Sequence, residues 1–153
     1  MTMIRAQKQL APGCRIRVLV VDDSVVIRRL VTHALEEDPL IEVVGAASNG
    51  AMALERIPQL SPDAITLDVE MPEMDGLEAM RRIHRLYPDI RVIMFSTLTE
   101  RGATSTFEAL ALGADDYVTK AANVGSLTLS IARLRGDLIP KIKQFFANPG
   151  PPL

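Results

Sequence analysis

Five polar side chains stand just past apolar runs. Asp22 and Asp23 follow Val18-Leu19-Val20-Val21, Asp68 follows Ala64-Ile65-Thr66-Leu67, Ser96 follows Val92-Ile93-Met94-Phe95, and Lys120 lies two residues beyond Val118. Singly, each is ordinary: an acid after a strand is commonly a solvated loop residue or a helix cap. Brought together, they pose an electrostatic problem. A buried carboxylate is costly unless something pairs with it. Three carboxylates within ~5 Å repel by roughly 3 kcal/mol per pair at an effective dielectric of 20. One lysine does not neutralise three acids, so the set asks for a divalent cation. Oxygen ligands with solvent access suit Mg²⁺, which keeps several waters and favours one or two carboxylates plus phosphate oxygens. Beside such an ion Asp68 is a usable nucleophile towards phosphorus, since carboxylates form acyl phosphates. Lys120 would balance charge on the phosphoryl group and Ser96 would donate a hydrogen bond to it, which is most of what phosphoryl transfer requires.

For these residues to meet, their strands must lie side by side. The apolar runs are continuous rather than alternating, which marks strands covered on both faces, as in parallel sheets. Strands are predicted at 16–21, 41–46, 64–67, 91–95 and 116–118. Ser24 is placed to cap a helix reaching about Glu37, with Ile27, Leu30, Val31, Ala34 and Leu35 turned inward. Asn49-Gly50 opens a second helix, which Pro58 is expected to end or distort early. A third spans Gly76 to Tyr87, with Leu77, Met80 and Ile83 at helical spacing. A fourth spans Thr104 to Leu112, and Gly113 suits the left-handed position after it. The last runs from Ser126 to about Phe146, with Gly136 and Pro140 expected to kink or break it. Strands alternating with helices make an α/β protein. Right-handed crossovers place helices on both faces of a doubly wound parallel sheet. Such sheets bind ligands beyond the carboxyl ends of their strands, the edge that would receive these five residues.

The whole chain is compatible with this. Its 153 residues are 48% hydrophobic and 24% charged, enough for one domain with a proper core. A net charge of -2, with no basic stripe, argues against nucleic acid as a partner. The single cysteine, Cys14, forms no internal disulfide, which points to a reducing compartment. No signal-peptide pattern is present and no apolar run approaches the ~20 residues of a membrane span, so the expectation is no membrane and a cytoplasmic location. Residues 1–15 read as a flexible arm, 16–146 as the folded domain, and the Pro-rich 147–153 as the start of an interdomain linker.

With Asp-Asp after the first strand, Asp after the third, Ser after the fourth and Lys after the fifth, the chain resembles a response-regulator receiver domain from about Arg17 to Phe146. The resemblance implies a five-stranded parallel sheet in the flavodoxin-like order 2-1-3-4-5. It implies that Asp68 is the phosphoacceptor, taking a phosphoryl group from a phosphohistidine on a histidine kinase. It implies Mg²⁺ on Asp22 (largely through water), Asp23, Asp68 and the backbone carbonyl of Glu70. Ser96 and Lys120 would bind the phosphoryl group, and Ser96 and Tyr117 match the switch hydroxyl and switch aromatic. Thr66-Leu67-Asp68-Val69-Glu70-Met71-Pro72, Phe95-Ser96-Thr97-Leu98-Thr99-Glu100-Arg101-Gly102-Ala103 and Leu138-Ile139-Pro140-Lys141-Ile142-Lys143 are also similar to the regulatory domain of chemotaxis protein-glutamate methylesterases. There a receiver precedes an esterase domain and restrains it. The chain would then catalyse only its own phosphorylation and dephosphorylation, as a monomer or weak dimer. Its parent would be the methylesterase, with glutamine deamidation as a further activity. The sequence has no Gly-x-Ser-x-Gly elbow.

One feature departs from the family. Lys120 is followed by Ala121 where a proline after a cis bond is usual. A cis peptide costs ~2.5–4 kcal/mol before alanine against ~0.5–1 before proline, so this loop is expected to be trans and reshaped. Two alternatives stay open: a stand-alone single-domain response regulator, and a small aspartyl-phosphate hydrolase of the haloacid-dehalogenase type. The latter normally carries a second aspartate two residues after its nucleophile, where this chain has Glu70.

Overall fold

A computed structural model describes residues 6–71, 74–96, 100–120 and 127–147, with backbone alone over 127–130. In chain order the elements are β1 Lys8–Gln9, β2 Ile16–Val21, α1 Val25–Glu36, β3 Ile41–Ala47, α2 Gly50–Leu60, β4 Ala64–Asp68, α3 Gly76–Leu86, β5 Arg91–Ser96, α4 Glu100–Ala111, β6 Asp116–Thr119, α5 Leu127–Lys143 and β7 Phe146–Ala147. The five long strands pair in parallel in the order β3-β2-β4-β5-β6. Counted from Ile16–Val21, this is the predicted 2-1-3-4-5 order. Every residue of β4 and β5 is buried, as continuous apolar runs require of strands sandwiched between two helical layers. Successive side chains go to opposite faces. Val18, Val20, Ile93 and Phe95 pack under α1 and α5 with Val31, Leu35, Leu138 and Ile142. Leu19, Val21, Leu67 and Met94 pack on the other side with Ala53, Ile57, Met80, Ile83 and Ala109 from α2, α3 and α4.

Local chemistry sets the helix starts. Ser24 Oγ accepts the Ile27 N–H at 3.3 Å, Asn49 Oδ1 the Met52 N–H at 2.9 Å, and Asp75 Oδ1 the Glu78 N–H at 2.9 Å. Gly113 follows α4 at φ +117°, the left-handed cap expected of it. Two helix predictions need correction. Pro58 does not end α2, which continues to Leu60. It falls in the last turn, where one amide bond is lost, and the Ser61 N–H restores the end by bonding the Ile57 carbonyl at 2.8 Å. Gly136 and Pro140 likewise lie inside α5, where burial of Leu138 and Ile142 outweighs their poor helix propensity. The fourth helix begins a turn earlier than predicted, at Glu100.

The expected flexible arm is, from Ala6 onward, a strap. β1 pairs in parallel with β7, Lys8 opposite Phe146 and Gln9 opposite Ala147. The Arg91 guanidinium donates to the Ala6 carbonyl at 2.9 Å, and Lys8 Nζ lies 3.2 Å from Asp63. Leu10 is buried in the α1/α5 core with Phe145 and Phe146. A composition-based reading misses this because the partners are more than 50 residues away. Truncating Leu10 to alanine is expected to cost roughly 2–3 kcal/mol. In thermal unfolding that is a fall of roughly 5–10 °C; an unchanged midpoint would mean the strap does not hold in solution. Residues 1–5, the turn residues Pro72 and Glu73, Thr97 to Thr99, the Lys120–Ala121 peptide and the expected linker from 148 onward lie outside the described residues.

Candidate functional site

The sequence-predicted acids meet at the carboxyl edge of β2 and β4. Val20 is in register with Thr66 and Val21 with Leu67, so Asp22 and Asp68 leave neighbouring strands side by side. Each of Asp22, Asp23 and Asp68 offers an oxygen within 4.8 Å of the others. Asp22 and Asp68 are buried and Asp23 is exposed, which leaves the pocket open on one side. β6 then supplies the base. Lys120 Nζ stands 3.1 Å from Asp22 Oδ2 and 3.0 Å from Asp68 Oδ1. Its backbone N–H is anchored to the Ser96 carbonyl at 2.6 Å, which fixes the loop after β6 to the end of β5.

The charges do not balance. Burial, and the Asp22 carboxylate beside it, push the Asp68 carboxyl up from 3.8 to about 7, although Lys120 and the Glu70 N–H, 3.2 Å from Oδ1, pull the other way. Burial alone would lower Lys120, but Asp22 and Asp68 outweigh it and hold the ammonium above its ordinary value. A charged lysine thus serves two buried acids, and ionising both would leave one negative charge in excess. Asp68 Oδ2 is buried and meets no hydrogen-bond donor among the described residues. An orphaned buried oxygen, excess negative charge, an open side and an all-oxygen donor set fit a hard divalent cation better than a second lysine. Asp22, Asp23 and Asp68 are the side chains positioned to hold one.

Ser96 is the last residue of β5, buried, and one place beyond the residue paired with Asp68. Glu70 follows Asp68 with its side chain exposed, so only its backbone is directed at the pocket. Tyr117 sits on β6, three residues before Lys120, and is 42% exposed.

Two supporting residues are not legible as such in the sequence. Arg28, on the first turn of α1, donates to the Asp22 carbonyl at 2.7 Å and steadies the turn that carries the acids. Gly76 opens α3 directly behind Asp68. A Cβ there would lie 2.2 Å from the Asp68 carbonyl oxygen and 2.7 Å from Val69 Cα. Those are backbone atoms and cannot turn aside. Gly76→Ala is expected to cost roughly 2–3 kcal/mol and to displace Asp68. Thermal unfolding reads the first effect. Mg²⁺ titration reads the second as weakened binding, and unchanged binding would show that the carboxylate does not depend on this approach.

Comparison with known proteins agrees with this geometry. Residues 18–132 match the family model for the response regulator receiver domain. The chain is 54% identical over 131 residues to a protein-glutamate methylesterase/protein-glutamine glutaminase of Trichodesmium erythraeum, covering 86% of this chain and 37% of that protein. It is 57% identical over 139 residues to the same kind of protein from Nocardioides sp., covering 91% and 37%. The chain therefore spans little more than a third of these relatives. Among solved structures, the response regulator domain of Thermotoga maritima CheB superposes with a TM-score of 0.75 at 44% identity, covering 86% of this chain and 96% of that one. A Borrelia burgdorferi CheX-CheY-BeF3-Mg²⁺ complex gives 0.71 at 25% identity, covering 89% and 92%.

Proposed function

The chain belongs to the response regulator receiver family, and from that premise we propose that it is the phosphoacceptor receiver of a chemotaxis two-component system. Asp68 is the acceptor. Its carboxylate attacks the phosphorus of a phosphohistidine on a partner histidine kinase, the P–N bond breaks, and the departing ring nitrogen takes a proton from water to leave neutral imidazole. Burial that disfavours the Asp68 anion raises its energy before the reaction, and acylation to phosphate removes that charge from the carboxyl. Asp22, Asp23, Asp68 and the Glu70 carbonyl would hold Mg²⁺, which would supply charge neutralisation to the phosphoryl oxygens. Lys120 pairs with the phosphoryl group from the opposite side, and Ser96 donates to it. Ser96 and Tyr117 carry the change to the surface formed by α4, β6 and α5.

The observation that carries this is the Lys120 ammonium shared between two buried aspartates, one of which keeps an unpartnered oxygen. Coverage of barely a third of the methylesterase relatives supports a parent in which residues 16–146 regulate a C-terminal methylesterase domain through a linker starting near 147. Among the described residues no helix is long and apolar enough to cross a membrane; the place of action in this reading is the cytoplasm, where the kinase is proposed to act. The test is incubation with acetyl phosphate and Mg²⁺ followed by intact mass. A gain of one phosphoryl group is expected, lost when the ion is chelated. Absence of the gain would overturn the assignment, and multiple turnover of a simple phosphomonoester would favour a hydrolase instead.

A further inference from the structure

Lys141, on the last turn of α5, makes contacts that the proposed site does not use. Its ammonium lies 4.9 Å above the centre of the Tyr117 ring. The same Nζ donates to the Tyr117 backbone carbonyl at 2.5 Å and stands 3.6 Å from Asp116 Oδ1. One turn further, Gln144 Nε2 donates to Asp116 Oδ2 at 2.9 Å. Gln144 is itself held by the strap, since Gln7 Nε2 donates to its carbonyl at 2.9 Å. The ammonium is thus fixed by the backbone of β6, not by the ring. The ring alone is free to leave.

We propose that Lys141 is a positioning residue, a latch that holds the Tyr117 ring outward over β6 and sets how readily it turns in. This rests on the assignment of Tyr117 as the switch aromatic. The carbonyl and Asp116 contacts do not depend on the ring's rotamer, so the cation–π contact is the part of Lys141's hold that rotation gives up. At an exposed site such a contact shifts an equilibrium by roughly two- to fivefold. Rotation inward therefore gives up that factor, and removing the ammonium returns it. The consequence is a receiver whose resting state is biased from the far end of α5, the element that leads towards whatever follows the domain.

The test uses the sequence's two tyrosines and lack of tryptophan. In a Tyr87→Phe background, tyrosine emission reports Tyr117 alone. Lys141→Met keeps the aliphatic stem and removes the charge; Lys141→Arg keeps a cation over the ring. Each protein is titrated with beryllofluoride in saturating Mg²⁺, with affinity read by calorimetry. Lys141→Met is expected to bind roughly two- to fivefold more tightly, with resting emission displaced towards the saturated value, while Lys141→Arg stays near the parent. In a Tyr117→Leu background the Lys141→Met effect on affinity should vanish, which a merely structural lysine would not produce. If the parent binds beryllofluoride and Lys141→Met matches it in affinity and emission, the latch is overturned and the receiver assignment stands. If the parent binds none, the receiver assignment falls and takes the latch with it.

Discussion

Asp68→Asn is expected to abolish the phosphoryl mass gain completely and, in metal-free buffer, to make the folded chain more stable at pH 8. The first effect follows from loss of the attacking carboxylate. The second follows from its titration. The carboxyl has an ordinary value of 3.8 in the unfolded chain and about 7 in the fold. The folded state therefore holds this proton more tightly. The stability this gives is fully present below about pH 4 and is lost as pH rises through about 7. A gap of that size, already net of the Lys120 pair, is worth at most about 4 kcal/mol, and solvent at the open side of the pocket screens part of it. Asparagine keeps the shape and removes the charge. The net gain expected in chelator at pH 8 is roughly 1–3 kcal/mol, and the decline of stability between pH 4 and pH 8 should flatten. In the wild type, Mg²⁺ at a hundred times its Kd should restore about 2.7 kcal/mol, and in Asp68→Asn much less. Chemical denaturation across pH, with and without Mg²⁺, reads all of this. A wild type whose stability does not fall over that range would sink the electrostatic argument.

Lys120→Met should act in the opposite direction. It leaves Asp22 and Asp68, both buried, without the ammonium now 3.1 and 3.0 Å away. Breaking a buried pair from one side typically costs 3–5 kcal/mol, because the remaining charge keeps its desolvation penalty. For a chain of this length that is roughly 10 °C of thermal midpoint in chelator. Mg²⁺ then takes over the counter-charge that Lys120 supplied, so the Mg²⁺-induced rise in midpoint should exceed that of the wild type. Adding Asp68→Asn to Lys120→Met should recover much of the loss, since one of the two stranded charges is gone. A Lys120→Met midpoint equal to the wild type would show that the pocket is hydrated enough to screen its acids.

The two variants separate what the pocket does for the fold from what it does for chemistry. On this electrostatic account its acids weigh against the resting fold, and the lysine offsets part of that cost. The protein retains that strain at one edge of an otherwise apolar sheet, where an ion and a phosphoryl group are proposed to relieve it.

The sheet, its helices and the acid-lysine set were legible in the chain because they are written in short-range chemistry. Continuous apolar runs such as Val18 to Val21 and Val92 to Phe95 declare doubly covered strands. Ser24 and Asn49 declare helix starts. A polar residue directly after a buried strand has only the sheet edge to occupy. None of these inferences needs a partner more than a few residues away. At Pro58, Gly136 and Pro140 the helices do not break, because packing of neighbours such as Ile57, Leu138 and Ile142 carries them past a weak position.

Contacts between distant parts of the chain were decided only by folding. Gln7 reaches the carbonyl of a residue 137 positions away. Gly76 matters because α3 starts against the Asp68 backbone. Lys141 lies over Tyr117 because α5 returns alongside β6. The residue types at these positions are unremarkable, and nothing local distinguishes them from a surface polar residue, a helix-start glycine or a solvated lysine. Residue order determined which groups arrive at the reactive edge. The distances among them, and the sharing of one ammonium between two buried acids, arise from register and burial, which exist only once the strands are paired.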